Sequence, residues 1–201
     1  MNFTQLSCIL VSAALYYGFY HLNAYAFHAL EVHAGASWVF LPAGLRLLCT
    51  LLFGAEGAIG LWLASLVIVY FSMGHFDLIT ALVSTVLSAG APYLVYRLAL
   101  RAGLPDTLAQ LTPLKLAQLG IAYAFANALL HSIWYSLRGI HPDVLSGFVT
   151  MFIGDLLGTL IMLYAVKAVL AVLRSMQRAR SASSTDTTTD TTTDTMSDAS
   201  D

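Results

Sequence analysis

Charge is what this chain has least of. Asp, Glu, Lys and Arg together make up 10% of its 201 residues, against about 25% in an ordinary soluble domain. A solvated globular surface cannot be built from so few charges. Cysteine is almost missing too. Cys8 and Cys49 both lie inside apolar stretches, which excludes a disulfide framework and makes them packing residues. There is no Gly-rich loop ending in Gly-Lys, no His-Glu-x-x-His pair and no Gly-x-Ser-x-Gly elbow. Phosphate-cradling, zinc-protease and Ser-nucleophile chemistry therefore have no carrier, and the chain is expected to be a non-enzyme without cofactor or metal. A basic soluble face for nucleic acid is also lacking. No basic segment precedes the first apolar stretch, so that stretch reads as a retained helix and not as a cleaved signal peptide.

What the chain does have is hydrocarbon. Hydrophobic residues reach 58%, and they gather in six stretches, at Leu6 to Phe27, Ala34 to Phe53, Ala55 to Met73, Leu78 to Tyr96, Leu114 to Tyr135 and Val144 to Leu173. A bilayer core of roughly 30 Å takes about 20 apolar residues per helical crossing. The expected fold is an all-α integral membrane bundle of about six transmembrane helices over residues 1–180, followed by a disordered C-terminal tail over 181–201. Gly54 alone separates the second and third stretches, so these two could equally form a re-entrant hairpin. Pro92 is expected to bend the fourth helix, and Pro105 and Pro113 mark the longest internal loop.

Five of the eleven acids fall beyond Arg180, in a Ser, Thr and Asp repeat where no apolar residue except Met196 could support folding, a composition expected to stay disordered. Ahead of it, nine bases face six acids. The bases cluster around Arg97, Arg101 and Lys115 and again at Arg174, Arg178 and Arg180, and the bias of Lys and Arg toward the cytoplasm places both regions inside. The expected location is a bacterial inner membrane, multi-pass, with both termini cytoplasmic.

Two of the stretches carry charge at depth. Counting from the outer helix ends at about 1.5 Å per residue, Arg46, Asp155 and Asn127 sit on the order of 18, 16 and 12 Å deep, in one layer near the midplane. A charge there costs roughly 2.5–3.5 kcal/mol on insertion scales and so turns inward to a partner. The expectation is an Arg46 to Asp155 ion pair with Asn127 beside it, either fixing helix neighbours or lining a ligand site. His21, His28, His33, His75, His131 and His141 all fall in the outer half, without the tight spacing of a metal site. Tyr16, Tyr17, Tyr20, Trp38, Trp134 and Tyr135 fall partly into interfacial aromatic belts.

Two segments carry a resemblance. Ser37-Trp38-Val39-Phe40-Leu41-Pro42-Ala43-Gly44-Leu45, followed by Leu51-Leu52-Phe53-Gly54, resembles the Trp-Pro-Pro-Ala-Gly-Leu segment and following helix of the bacterial membrane-associated sensor domain family, the first-described MASE type. Gly154-Asp155-Leu156-Leu157-Gly158 is similar to the Gly-Asp-x-x-Gly that opens that family's last helix. Trp38, Pro42, Gly44, Gly154, Asp155 and Gly158 match its motif positions. The resemblance implies a sensory input module signalling to a cytoplasmic output domain. Here Leu41 stands where the doubled proline begins, the module is shorter, and no output domain follows, so signalling would pass through a separate partner protein. The rival expectation is the small-molecule-binding membrane subunit of an energy-coupling transporter, with an ATPase-bearing partner and a site near the midplane. The bilayer surrounds the chain in either case, and a homo-oligomer is compatible with both.

Overall fold

A computed structural model describes residues 2–27, 31–33, 36–72, 77–103, 111–140 and 143–193. Its elements are α1 (Phe3–Phe27), a two-stranded antiparallel hairpin of β1 (Glu31–His33) and β2 (Ala36–Ser37), α2 (Leu41–Ser72), α3 (Leu78–Arg101), α4 (Pro113–Leu137) and α5 (Val144–Thr193). Five of the helices are long and apolar enough to cross a membrane. The chain is an all-α, multi-pass membrane protein. Its surface supports this on physical grounds, because the side chains turned outward include Leu52, Val67, Phe71, Val86, Leu98, Ile133 and Ile161, whereas Ser12, Thr50, Thr85, Asn127, His131 and Asp155 are buried. That is the reverse of the soluble pattern.

The second and third expected helices are one element in the fold. α2 is broken at Gly54, whose φ of 58° and ψ of −125° are not helical. Its two halves run in opposite directions. As α2 advances, the Leu41 amide donates to Asn23 Oδ1 at 3.0 Å, Arg46 meets Tyr16 and Glu56 accepts from Gln5 at 3.1 Å, so its contacts descend α1. By Gly60 they have turned back to Ile9 and Ser12. Gly57 also lies directly on the carbonyl of Cys49. The first half holds 13 residues, a rise of about 20 Å, and the second 18, about 27 Å.

The helix begins at Leu41 and not at Ala34. Pro42 has no amide hydrogen and disfavours helical backbone in the residue before it, so it belongs in a first turn. The residues before it instead form β2 and an extended link. Asn23 supplies the acceptor that the new helix end needs.

The rest alternates in direction. Tyr96, near the end of α3, lies against the Gly54 turn. Ser84 meets Tyr135 and Ser88 meets His131 between α3 and α4, and Phe125 packs on Phe148 and Phe152 between α4 and α5. Pro92 is buried inside α3, which continues through it. The contacts divide the chain into two units, Met1–Leu163 and Tyr164–Asp201, and the first of them holds α1 to α4 with the start of α5. In the second, α5 remains helical to Thr193, which includes the first part of the tail expected to be disordered, and residues 194–201 lie outside those described. So do His28, His75, His141 and Pro105.

Gly54 and Gly18 should respond in opposite ways to the same change. Gly54→Ala forces a side chain onto a backbone conformation that costs on the order of 1–3 kcal/mol. Gly18, helical and with nothing within 4 Å of an added Cβ, should accept Ala with no loss, since Ala is the better helix former. Thermal unfolding of the two detergent-solubilised variants checks the contrast.

At the exposed end of the bundle, Asp77 caps α3 and accepts from Arg138 at 2.8 Å. The Thr80 side chain, then the Arg138 guanidinium and the Thr80 amide, hold the Asp77 carboxyl below its ordinary range. A carboxyl lowered in the folded state stabilises above its unfolded pKa, near 3.9, and that contribution disappears as pH falls through the folded value. Asp77→Asn should therefore lower the melting temperature at pH 6, and the difference should shrink as pH falls below the ordinary carboxylate range.

Candidate functional site

α4 presents Tyr123, Asn127, His131 and Tyr135 to the interior, four residues apart and therefore on one face. The stripe meets Arg46 from α2, Tyr16 from α1, Ser84 and Ser88 from α3 and Asp155 from α5. Near the C-terminal end of α4 Tyr135 lies 3.4 Å from Ser84 Oγ. One turn inward, His131 is buried with Nδ1 3.0 Å from the Asn127 carbonyl and Nε2 3.5 Å from Ser88 Oγ, so both ring nitrogens have partners. A further turn in, the Asn127 side-chain amide donates to Asp155 Oδ2 at 2.5 Å.

Arg46 is 7% exposed and Asp155 5%. All three residues expected in the layer are buried, and Asn127 and Asp155 are joined directly. Arg46 is held differently. Its Nε donates to the Tyr16 hydroxyl at 3.0 Å, and Nη2 donates to the same oxygen. The guanidinium carbon lies 5.0 Å from the Tyr16 ring centre and 5.2 Å from that of Phe40, a cation held by aromatic faces. The direct Arg46 to Asp155 ion pair is not formed among the described residues, where Arg138 and Asp77 make the ion pair. Each buried charge has a neutral hydrogen-bond partner on a neighbouring helix instead. Tyr123, one turn before Asn127 on the same face of α4, belongs to the same buried layer.

Three enclosed polar atoms in this layer make no hydrogen bond of ordinary geometry: Asn127 Oδ1, the Thr159 hydroxyl and the Tyr123 hydroxyl, the last of which faces the Arg46 guanidinium. An unpaired buried polar group costs about 1–3 kcal/mol; the other such atoms among the described residues belong to Ser12, Ser65, Thr80 and Trp134.

The extended link forms one wall of the layer. Phe40 donates its amide to the Gly154 carbonyl at 3.1 Å. Gly154 lies against the backbone of Ser37 and Trp38, Gly158 against that of Phe40 and Leu41, and Gly44 against Met162 and the Gly158 carbonyl. A Cβ at Gly154 or Gly158 would occupy the carbonyl oxygen of Ser37 or Phe40. The two segments that carry the sequence motifs are therefore packed on each other, backbone to backbone, with Pro42 buried and Trp38 40% exposed at the edge.

Tyr16 and Tyr123 join the site without having stood out in the sequence. Tyr16 reads as an interfacial aromatic, yet it is 2% exposed at the guanidinium. Tyr123 carries a usable signal, being one turn before Asn127 as His131 is one turn after. Of the histidines, His21 is exposed against the rings of Tyr17 and Tyr20, and the side chain of His33 is not among those described. Among the described residues no three His, Cys, Asp or Glu side chains converge on a metal-sized site.

The class the fold and site define is a helical membrane bundle with a buried polar layer closed by an inserted extended segment. No family model, curated protein or solved structure matches the chain.

The separate anchoring of the two charges is measurable. A double-mutant cycle on Asn127→Ala and Asp155→Ala should give a coupling of about 1.5–3 kcal/mol, the range for hydrogen bonds to charged groups, and so should Tyr16→Phe with Arg46→Leu. The Arg46 and Asp155 cycle should give less than either. The exchange Arg46→Asp with Asp155→Arg should not restore protein lost in the single variants.

Proposed function

We propose that this chain is a stand-alone sensory input module of a bacterial inner membrane, working on a separate cytoplasmic partner. The observation that carries the reading is the contact of Ser37–Leu41 with Gly154 and Gly158 beside the buried charges. An occupant of the polar layer that moves Arg46 moves the start of α2. The start of α2 is tied through Phe40 to α5, and α5 continues past the membrane toward the basic residues Arg174, Arg178 and Arg180. Binding in the layer is thus coupled to the helix that leaves it, without catalysis.

In this reading the halves of α2 count as two crossings, giving six in alternating directions, with both termini cytoplasmic. In a Cys8→Ser, Cys49→Ala background, a membrane-impermeant thiol reagent added outside should label a cysteine at Ser136 and spare one at Ser175.

Non-helical backbone next to a polar layer at membrane depth also suits a transporter subunit, and one experiment separates the two. The tagged protein is crosslinked in native membranes, purified, and its companions identified by mass spectrometry. A histidine kinase or diguanylate cyclase in stoichiometric amount, lost on Gly158→Leu, is the expected result. ATPase-bearing subunits in its place would establish transport, and no stoichiometric companion would overturn both.

A further inference from the structure

Arg46 and Asp155 are opposite charges buried in one layer, yet they form no ion pair. Each uses only part of its hydrogen-bonding capacity. Arg46 spends Nε and Nη2 on Tyr16, and Asp155 spends Oδ2 on Asn127. Arg46 Nη1 and Asp155 Oδ1 make no protein hydrogen bond of ordinary geometry among the described residues. Beside them lie the three enclosed atoms without ordinary hydrogen bonds, of which two are hydroxyls and one, Asn127 Oδ1, only accepts.

The free capacity thus has two signs. At the Arg46 end it is donor, from the guanidinium and the Tyr123 hydroxyl. At the Asp155 end it is acceptor, from the carboxylate and Asn127 Oδ1. A simple anion would satisfy the first end and be repelled by Asp155. A simple cation would satisfy the second and be repelled by Arg46. Either would also leave a net charge at membrane depth, which is costly. A molecule carrying both a carboxylate and an ammonium meets both ends and adds no net charge.

We infer that the layer is a binding site for a small zwitterion of the α-amino-acid class, its carboxylate on Arg46 and Tyr123 and its ammonium on Asp155 and Asn127. This rests on the sensory reading for its biological role, but the binding itself does not. The amino acid enters by displacing the packing around Tyr123 and Thr159, whose hydroxyls then gain the hydrogen bonds they lack.

The test is thermal unfolding of the full-length protein in lipid nanodiscs with each of the twenty protein amino acids. L-alanine is compared directly with propionate and ethylammonium, which each keep one of its two charges. At least one amino acid should raise the melting temperature, by on the order of 5 °C at a hundredfold excess over its Kd, and its single-charge counterparts should not. Tyr123→Phe removes one buried hydroxyl, keeps the ring and should weaken the amino-acid affinity about tenfold or more, with the unliganded melting temperature nearly unchanged. Arg46→Lys and Asp155→Asn should abolish the shift. The inference is overturned if no amino acid shifts the protein, if propionate or ethylammonium matches its amino acid, or if Tyr123→Phe binds like the parent. A zwitterion that binds without any kinase or cyclase companion would sink the sensory reading and leave the site standing. A companion with no zwitterion binding would do the reverse.

Discussion

The close approach of an extended backbone to two glycines of α5 constrains the rest of the bundle. An irregular segment packed inside a bundle has little water to satisfy its amides and carbonyls, so it persists where protein supplies the partners. In this bundle Gly154 accepts from Phe40, Asn23 accepts from Leu41, and Ser37 closes on Val39 through its own hydroxyl. Because a Cβ on either glycine would occupy a carbonyl oxygen, the start of α2 can approach α5 this closely only at glycine. Arg46, one turn further along α2, inherits that position. The charged layer is placed by a backbone contact and not by its charges.

This arrangement explains how two charges coexist in an apolar bundle without pairing. A buried ion pair has to recover the desolvation of both ions through near-ideal mutual geometry. Arg46 and Asp155 avoid that requirement, since a tyrosine and two aromatic faces hold one and an asparagine holds the other. Each charge is neutralised locally by dipoles, and the space of interaction between them stays available.

Much of the fold is legible in the sequence because hydrophobic length is a strong signal. The limits of α1, α3, α4 and the start of α5 agree with the apolar stretches to within a few residues, except that α3 extends five residues further, to Arg101. The separate second and third helices are harder. Only Gly54 interrupts an otherwise continuous apolar run, and composition cannot distinguish a turn from a helix continuing through it. Hydropathy starts α2 too early, at Ala34, although Pro42 announces the true start, because hydropathy ignores the missing amide. At the site, depth counting groups Arg46, Asn127 and Asp155, but its count for Arg46 runs from Ala34, whereas α2 starts at Leu41 and Arg46 is five residues into it; contact with Tyr16 and Phe40 is what locates that side chain. Depth counting cannot give their partners, which depend on how each helix is rotated. Tyr16 shows why: nothing in its neighbourhood of tyrosines distinguishes the one that faces Arg46 from those that face lipid.

The short first half of α2 has a consequence for how the chain is assembled. Thirteen residues including an arginine make a poor span by themselves, so in the six-crossing reading this half would enter hydrocarbon as one arm of a hairpin with the longer half beyond Gly54. Synthesis runs from the N-terminus, and Tyr16 and Asn23 are already made when Arg46 and Leu41 emerge, just as Asn127 is made before Asp155. Neither charge waits in lipid for a helix still on the ribosome.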